Sequence, residues 1–327
     1  MGATISQDHV PEQFEALKKA KQAYWKHCGV TPREQWLALP DTGVVVPGLS
    51  RIRILQVGST DPTAPLVLFV HGGGGLASDW TPLMKQLAAT TKQHRCWFLD
   101  RPGHGLMEPF DYLALQETMG AHAAAYIDAV RRAAGVDQMD LVGNSAGGAM
   151  AYFYAKEHKE HLRSFTWIGA PAFFRGQNRP VAFSILGSRL GSQLMARPPP
   201  SFLPSRILVD MFRSDPGCVP EEYVELYRAA MSCRNTSLSW SYLLRNWLTY
   251  SDKYDYSLET LDQALEGIPS CTLIVGDSEP FITNDQIAVI EAKFGKQALV
   301  IGKGHIPWHD DPGGVAAALC NILQDSS

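Results

Sequence analysis

The apolar positions of this chain fall into two alternating patterns, short continuous runs and longer segments with helical spacing. Continuous apolar runs at Leu66–Val70, 96–99 and 139–142 predict strands that are buried on both faces of a parallel sheet. Residues 117–134 and 147–158 follow two of these runs and have the apolar spacing of helices. The alternation of strand and helix predicts an α/β fold with a doubly wound, mostly parallel sheet.

Further segments of both kinds extend this pattern in each direction along the chain. β-type runs predict additional strands at 44–46, 52–55, 165–168, 272–275 and 298–301. Helical spacing predicts helices at 11–28, 284–294 and 313–323.

The alternation stops between residues 173 and 267. This segment has helix-like stretches at 205–213, 220–231, 237–250 and 257–265, with a proline cluster at 198–200. A structureless loop of this length is uncommon in a compact domain, so the segment predicts an inserted helical cap. We therefore expect three parts: the N-terminal part of a core domain (1–172), the helical cap (173–267) and the C-terminal part of the core (268–327).

Composition excludes several function classes. A hydrophobic content of 45% and a charged content of 19% are typical of a globular protein. The net charge of −4 and the lack of a Lys/Arg-rich patch argue against a nucleic-acid partner. The sequence has no signal-peptide pattern and no apolar run that could span a bilayer, which predicts a cytoplasmic enzyme without stable membrane insertion. Gly2 and Ser6 match a short myristoylation pattern, which leaves N-terminal acylation open.

The six cysteines are scattered and include no C-x-x-C pair. This usage predicts reduced thiols and argues against a disulfide framework or a zinc site, although one or two bridges remain open. We expect no metal ion and no organic cofactor. The expected partner is a small-molecule substrate, and a homodimer is left open.

Candidate chemistry begins with the segment 143–147, Gly-Asn-Ser-Ala-Gly, directly behind a predicted buried strand. A serine between small residues at a strand-to-helix turn is typical of a nucleophile elbow, because bulky neighbours would clash in the strained turn. This pattern predicts that Ser145 is a nucleophile.

A glycine-rich loop, 72–75, follows His71 at the end of the strand Leu66–Val70. Glycines leave backbone N–H groups free to approach an oxyanion. We predict an oxyanion hole formed by Gly73, with Gly74 close behind it, and by Ala146 after the nucleophile. The alternative is a phosphate-binding loop, but no Lys-Ser/Thr follows and no G-x-G-x-x-G pattern is present.

The base and the acid are expected in loops that follow later strands. His305 comes after the predicted strand 298–301, which places it at the same sheet edge as Ser145. His104 competes for this role, but it precedes the serine in a turn that is typical of a structural loop. Asp277 and Glu279 both follow the strand before, and either carboxylate could orient the imidazole.

Together these motifs resemble the α/β-hydrolase fold superfamily, in its cap-bearing branch of esterases, C–C bond hydrolases and epoxide or haloalkane hydrolases. Members usually carry an acid three residues beyond the glycine of a G-x-x-D motif. The resemblance therefore implies Glu279 as the acid and leaves Asp277 as the second choice. Dehalogenases and epoxide hydrolases of this group have an aspartate where this chain has Ser145, which argues against both activities.

The cap aromatics Phe173, Trp240 and Trp247 are predicted to contact the substrate, which favours an apolar or aromatic compound. With the resemblance, this implies a serine hydrolase that cleaves a carboxylic ester or lactone through an acyl-enzyme on Ser145.

Two other functions stay open. The first is C–C bond hydrolysis of a vinylogous diketone, a ring-fission product. Asn144 before the nucleophile is frequent in such enzymes, but Ile306 stands where they usually have tryptophan. This activity needs a cation from the cap that faces a substrate carboxylate, such as Arg234 or Arg245. The second is a ligand-binding receptor on a hydrolase fold.

Overall fold

A sheet of eight strands forms the centre of the protein, in a computed structural model that describes residues 10–39, 50–177 and 179–325. The strands are β1 (Arg33–Ala38), β2 (Arg51–Gly58), β3 (Leu66–Val70), β4 (Arg95–Leu99), β5 (Met139–Gly143), β6 (Leu162–Ile168), β7 (Ser270–Val275) and β8 (Leu299–Val300). Their order across the sheet is β1-β2-β4-β3-β5-β6-β7-β8. β2 pairs antiparallel with β1 and β4, and the other pairs are parallel. The predicted α/β class is confirmed.

Helices connect the strands and cover both faces of the sheet. They are α1 (Val10–Cys28), α2 (Thr81–Thr90), α3 (Met119–Ala133), α4 (Ala146–His158), α5 (Val181–Gly187), α6 (Arg189–Met195), α7 (Leu203–Arg206), α8 (Glu221–Ser232), α9 (Arg234–Tyr250), α10 (Leu261–Leu265), α11 (Asn284–Phe294), α12 (Pro307–Asp310) and α13 (Pro312–Asp325).

Strand β3 shows why its run of apolar residues is unbroken. Leu66, Leu68 and Val70 pack into the apolar cluster on one face of the sheet, together with residues of α3 and α4. Val67 and Phe69 pack into the cluster on the other face, with residues of α1, α2 and α13. Successive side chains of a strand point to opposite faces, so a strand covered on both sides needs apolar residues at every position.

The helical segment 173–267 enters the fold between β6 and β7, which are neighbours in the sheet. α5 and α6 pack on α9 through polar contacts: Ser192 Oγ lies 2.7 Å from Ser241 Oγ, and Arg245 donates to the carbonyl of Gly187 at 2.7 Å. The segment is therefore an insertion between two neighbouring strands. Its position along the chain is that of the predicted cap.

Several elements differ from those predicted. Strand β1 and helices α2, α5, α6 and α12 were not predicted, and the helix expected at 257–265 begins only at Leu261. The helix expected at 205–213 is α7, which continues as a π-helical turn, Ile207–Met211. The predicted strand 44–46 and the acylation pattern at Gly2 lie outside the described residues.

Two further expectations concern thiols and membranes. All six cysteines are free, as the sequence favoured. Within the described ranges, no helix has both the length and the apolar character needed to cross a bilayer.

Candidate active site

Ser145 lies at the tight turn between β5 and α4. Its backbone has φ of 51° and ψ of −116°, a conformation that residues other than glycine rarely adopt. The turn is possible because Gly147 has no side chain: a Cβ there would lie 2.1 Å from the carbonyl oxygen of Val70. The strained turn holds the half-buried hydroxyl-bearing residue at the carboxyl edge of the sheet.

Asn144 ties this turn to its surroundings. Its buried side-chain amide donates to the carbonyl of Ile168 at 2.7 Å and to the carbonyl of His305 at 3.2 Å. Its backbone N–H donates to the carbonyl of Val70 at 3.0 Å. The residue before the nucleophile thus links three sheet-edge loops, a positioning role that sequence reasoning did not assign.

His305 and Glu279 form a buried pair. Nδ1 of His305 lies 2.9 and 3.0 Å from the two carboxylate oxygens of Glu279. A carboxylate accepts only, so the proton lies on Nδ1 and Nε2 is left available as a base. The backbone N–H groups of Ala170 and Phe281 each donate to one carboxylate oxygen at 3.1 Å. Four contacts therefore fix this carboxylate and, through it, the imidazole.

The competing residues lie elsewhere. Asp277 is exposed and accepts a hydrogen bond from the Ser278 hydroxyl at 2.8 Å. His104 is fully buried, with Nδ1 at 2.9 Å from the carbonyl of Pro102 and Nε2 at 3.2 Å from the guanidinium of Arg101. The structure brings Glu279, and neither of these residues, to His305.

Ser145 and His305 both line one large cavity. In the part of the chain that the structure describes, no hydrogen bond joins the two side chains. Catalytic hydrogen bonds are often long in unliganded enzymes and shorten when substrate binds, so this geometry is compatible with a nucleophile and its base.

Two buried side chains, those of Arg101 and His71, fix the orientation of the glycine loop. The carbonyl of Gly72 accepts from the Arg101 guanidinium at 2.7 Å and from Nδ1 of His71 at 2.8 Å. In a trans peptide the C=O and the following N–H point in opposite directions. Anchoring the Gly72 carbonyl toward Arg101 therefore turns the Gly73 N–H to the other side of the loop, and Gly73 itself lines the cavity.

His71 serves this anchoring as a neutral ring. Its Nε2 accepts from the backbone N–H of Arg101 at 3.0 Å, which leaves the proton on Nδ1 for the Gly72 carbonyl. Burial, together with the positive charge of Arg101, lowers the pKa of His71 well below its usual value. The sequence suggested no role for either residue, although both stand in motifs that it singled out.

Ala146 is the first residue of α4. The first N–H groups of a helix have no acceptor within the helix, and the helix dipole favours negative charge at this end. The Ala146 N–H is therefore suited to receive an oxyanion, which is the role that the sequence predicts for it. Gly74, the third predicted member, also lines the cavity and has φ of +68°.

The cavity has a volume of about 540 Å³, and mostly apolar side chains line it. Phe173 and Trp240 are among them, as predicted, and the Trp240 ring covers the glycine loop: a Cβ on Gly73 would come within 2.0 Å of it. Trp247 is not part of the lining. It lies two turns further along α9, fully buried behind Phe173 with ring centroids 4.6 Å apart, so its predicted substrate contact is not supported.

Asp79 is a cavity residue that sequence reasoning missed. One carboxyl oxygen accepts from the backbone N–H of Leu76 at 3.0 Å, and the other is buried without a hydrogen-bond partner in the described structure. Burial raises the pKa of Asp79 to about 7, with a smaller contribution from the nearby Asp100 carboxylate. The only hint in the sequence was an acidic residue shortly after the glycine loop.

Arg234 and Arg245, the cations predicted to face a substrate carboxylate, do not lie where this role requires them. Arg245 donates to the carbonyls of Gly187 and Ser188 and to Ser192. Neither it nor Arg234 lines the cavity, whereas Arg179 and Arg197 do. The prediction is corrected in this respect, because the guanidinium of Arg245 is engaged in holding α5 and α6 on α9.

Among the described residues, no group of three or more His, Cys, Asp or Glu side chains is placed to hold a metal ion.

Comparisons with known proteins identify the family of this chain. The sequence model of the alpha/beta hydrolase family matches residues 67–318. The chain is 29% identical to a 2-hydroxymuconate semialdehyde hydrolase of Pseudomonas sp. (strain CF600) over 50% of this chain and 54% of that protein. It is 27% identical to a 2-hydroxy-6-oxononadienedioate/2-hydroxy-6-oxononatrienedioate hydrolase of Comamonas testosteroni over 73% of this chain and 79% of the relative.

Solved structures extend the likeness to nearly the whole fold. A carboxylesterase from Bacillus subtilis superposes with a TM-score of 0.67 and 17% identity, over 95% of this chain and 98% of that one. At this identity the likeness concerns the fold alone. The family match covers most of the chain and includes the elbow, the glycine loop and the His305 loop. The chain belongs to the alpha/beta hydrolase family, and it is a hydrolytic enzyme.

Proposed function

We propose that this hydrolase cleaves a carboxylic ester or lactone, with an apolar or aromatic substrate, through an acyl-enzyme on Ser145. The observation that carries the proposal is the buried His305–Glu279 pair. His305 and Ser145 line the same apolar cavity, beside the oriented glycine loop. In this proposal the helical segment 173–267 acts as the cap over the site.

In the first half-reaction, Oγ of Ser145 attacks the ester carbonyl carbon while Nε2 of His305 accepts its proton. Glu279 holds the other ring nitrogen and stabilises the imidazolium that forms. The N–H groups of Gly73 and Ala146 donate to the oxyanion, each worth about 3 kcal/mol in comparable sites. The imidazolium then returns its proton to the leaving alkoxide, which departs as the alcohol.

In the second half-reaction, His305 takes a proton from water as the water oxygen attacks the acyl carbon. The oxyanion occupies the same two donors, and the proton passes to Oγ as the acid product leaves. Every step uses residues at the sheet edge, and the helical segment contributes only the shape and the polarity of the cavity.

The test is the turnover of p-nitrophenyl esters by Ser145→Ala. We expect a loss of at least about 10⁴-fold, because the nucleophile of such a unit cannot be replaced. A fluorophosphonate probe should label the wild-type protein and leave Ser145→Ala unlabelled, whereas a ligand-binding receptor would not be labelled. Ser278→Ala, a serine beside the acid, is the matched control and should keep full activity. An unaffected rate in Ser145→Ala would refute the proposal.

A second candidate function is C–C bond hydrolysis of a ring-fission product. The relatives from Pseudomonas and Comamonas favour it, since their names describe hydrolases of such dienoate-type compounds. The cavity offers Arg179, which is half-buried and donates to the Ser251 hydroxyl at 3.1 Å, as a cation for the substrate carboxylate.

The two candidates are separated by assaying short esters and a coloured ring-fission dienone on the same preparation. An esterase should turn over the esters and leave the dienone nearly untouched. Faster turnover of the dienone, with a loss confined to the dienone in Arg179→Gln, would favour C–C bond hydrolysis. Ser145→Ala should abolish either activity.

A further inference from the structure

One stretch of the chain carries most of the large apolar side chains that are exposed. Five of the eight such side chains in the described structure lie between residues 181 and 202. We call these five residues the apolar rim: Val181, Ile185, Leu190, Leu194 and Phe202. Val181 is 75% and Phe202 is 66% exposed, fractions that are unfavourable for such side chains in water.

Hydrogen bonds on the opposite side of α5 and α6 hold the apolar rim toward solvent. Val181 and Ile185 are four residues apart in α5, and Leu190 and Leu194 are four apart in α6, so each pair shares one helix face. The opposite side of this helix pair is fixed to α9. Ser241 donates to the carbonyl of Leu186 at 2.7 Å, and Arg245 bonds the turn between the two helices. The apolar faces therefore cannot turn inward without breaking these bonds.

The rim is continuous with the cavity that contains Ser145. Ile185 and Leu194 are exposed and also line the cavity. Phe202 lies between the cavity-lining residues Pro200 and Leu203. Two residues of the apolar rim therefore belong to the cavity wall, and the other three lie beside lining residues or on the same short helices, which places the rim next to the cavity.

The same stretch has an unusual charge. Residues 175–209 include five arginines and no lysine, aspartate or glutamate, in a chain whose net charge is −4. The arginines are Arg175, Arg179, Arg189, Arg197 and Arg206. Arg189 and Arg197 are exposed and form no ion pair with another described residue, and Arg206 pairs with Asp210 at the surface. The stretch that carries the apolar rim is therefore positive, in a chain whose net charge is negative.

We propose that the apolar rim docks this enzyme on an anionic lipid surface, with the cavity entrance facing the lipid. Exposed aliphatic and aromatic side chains on short helices, accompanied by arginines, match the requirements of interfacial binding: apolar area for the acyl region and positive charge for anionic headgroups. Binding of this kind needs no spanning helix. An apolar substrate would then enter the cavity directly from the lipid.

The charge argues against a second copy of the chain as the occupant. In a two-fold symmetric contact the same surface meets itself, so Arg189 and Arg197, which are exposed and form no ion pair with another described residue, would face their own copies. An anionic lipid surface supplies the missing negative charge. The docking does not depend on which bond the enzyme cleaves, so it extends beyond the proposed function.

The experiment measures co-sedimentation with vesicles of phosphatidylcholine, with and without phosphatidylglycerol. Both the wild-type and the Ser145→Ala protein should bind the vesicles that contain phosphatidylglycerol, and binding should weaken with added salt. The Ser145→Ala protein reports on docking alone, so failure of the docking and failure of the proposed chemistry are read separately.

Two matched pairs of variants test the rim. Leu190→Glu combined with Phe202→Glu should weaken vesicle binding at least about tenfold, because two apolar contacts are lost. Val289→Glu, at an exposed valine of α11, should leave binding unchanged. Arg189→Gln should weaken binding to the anionic vesicles about fivefold. Arg132→Gln, an exposed arginine at the end of α3, should not.

Neither Leu190 nor Phe202 lines the cavity. The variant that combines Leu190→Glu and Phe202→Glu should therefore turn over a short soluble ester within about twofold of the wild-type rate. That result also shows that the variant is folded. Absence of vesicle binding by the wild-type protein, or equal binding by rim and control variants, would overturn the proposal. So would a dimer in analytical ultracentrifugation that Leu190→Glu dissociates, since the rim would then be covered by a second copy.

Discussion

The two sides of the cavity are built by different means. On the sheet edge, Ser145, His305 and Glu279 are held by hydrogen bonds from named backbone groups and buried side chains. On the helical side, the lining is mainly apolar packing, and the contacts that fix α5 and α6 face away from the cavity. Chemistry needs fixed directions, which hydrogen bonds supply, whereas substrate binding needs shape and exclusion of water, which apolar packing supplies.

The largest expected effect tests the hydrogen-bonded side. Glu279→Gln should lower kcat for a soluble ester by about 10²–10⁴-fold, because the imidazole loses the carboxylate that sets its tautomer and stabilises its charged form. Asp277→Asn is the matched control two residues away and should leave kcat nearly unchanged. Equal, mild losses in both variants would mean that neither carboxylate has this role.

A second test uses pH and concerns Asp79, which lies where the two sides meet. The folded state raises its pKa from 3.8 to about 7, so the folded protein retains a proton that the unfolded chain has lost. The contribution to stability is therefore fully present below pH 4 and is lost as the pH rises toward 7.

Asp79→Asn keeps the shape of the protonated carboxyl group and cannot ionise. Between pH 5 and pH 8, the free energy of unfolding of this variant should rise by about 2–3 kcal/mol relative to wild type. Urea denaturation at both pH values measures it. A difference between the two proteins that does not change with pH would contradict the buried, weakly acidic state of this carboxyl group.

The third test concerns the support of the glycine loop. Arg101→Gln removes the guanidinium that anchors the Gly72 carbonyl and should lower kcat about tenfold to a hundredfold, with little change in KM. The rate of labelling by a fluorophosphonate should fall in parallel, since it uses the same oxyanion donors. Arg101→Lys keeps a donor and should recover part of the loss. A change in thermal stability with normal kcat would assign the residue a purely structural role.

The smallest effect is expected on the apolar side. Trp240→Phe removes part of the ring that covers Gly73, and it should raise kcat/KM for a bulky acyl ester relative to acetate by no more than about tenfold. Trp247→Phe, on the same helix but behind Phe173, is the matched control and should leave this ratio unchanged. A larger shift from Trp247→Phe would show that the cavity extends further than the structure describes.

Three of the elements that the sequence missed, β1, α5 and α6, share a physical cause. Strand β1, Arg-Glu-Gln-Trp-Leu-Ala, is polar at its start and is held by antiparallel pairing with β2, which local apolar spacing does not report. Helices α5 and α6 contain Gly187 and Gly191, which have poor helix propensity, and they form because α9 packs against them. In each case a distant partner overrides the local preference.

By itself the sequence determined the fold class, because continuous apolar strands alternating with helices allow few architectures. It also predicted the candidate nucleophile and base and narrowed the acid to Asp277 or Glu279, since a strained turn and loops that follow parallel strands need particular residues at particular places. Only the tertiary structure decided what surrounds them. It placed Asp277 in solvent, Arg101 beneath the glycine loop, Asp79 at the cavity, Trp247 behind Phe173, and the apolar rim next to the cavity. These placements depend on contacts between residues far apart in the chain, which no local pattern encodes.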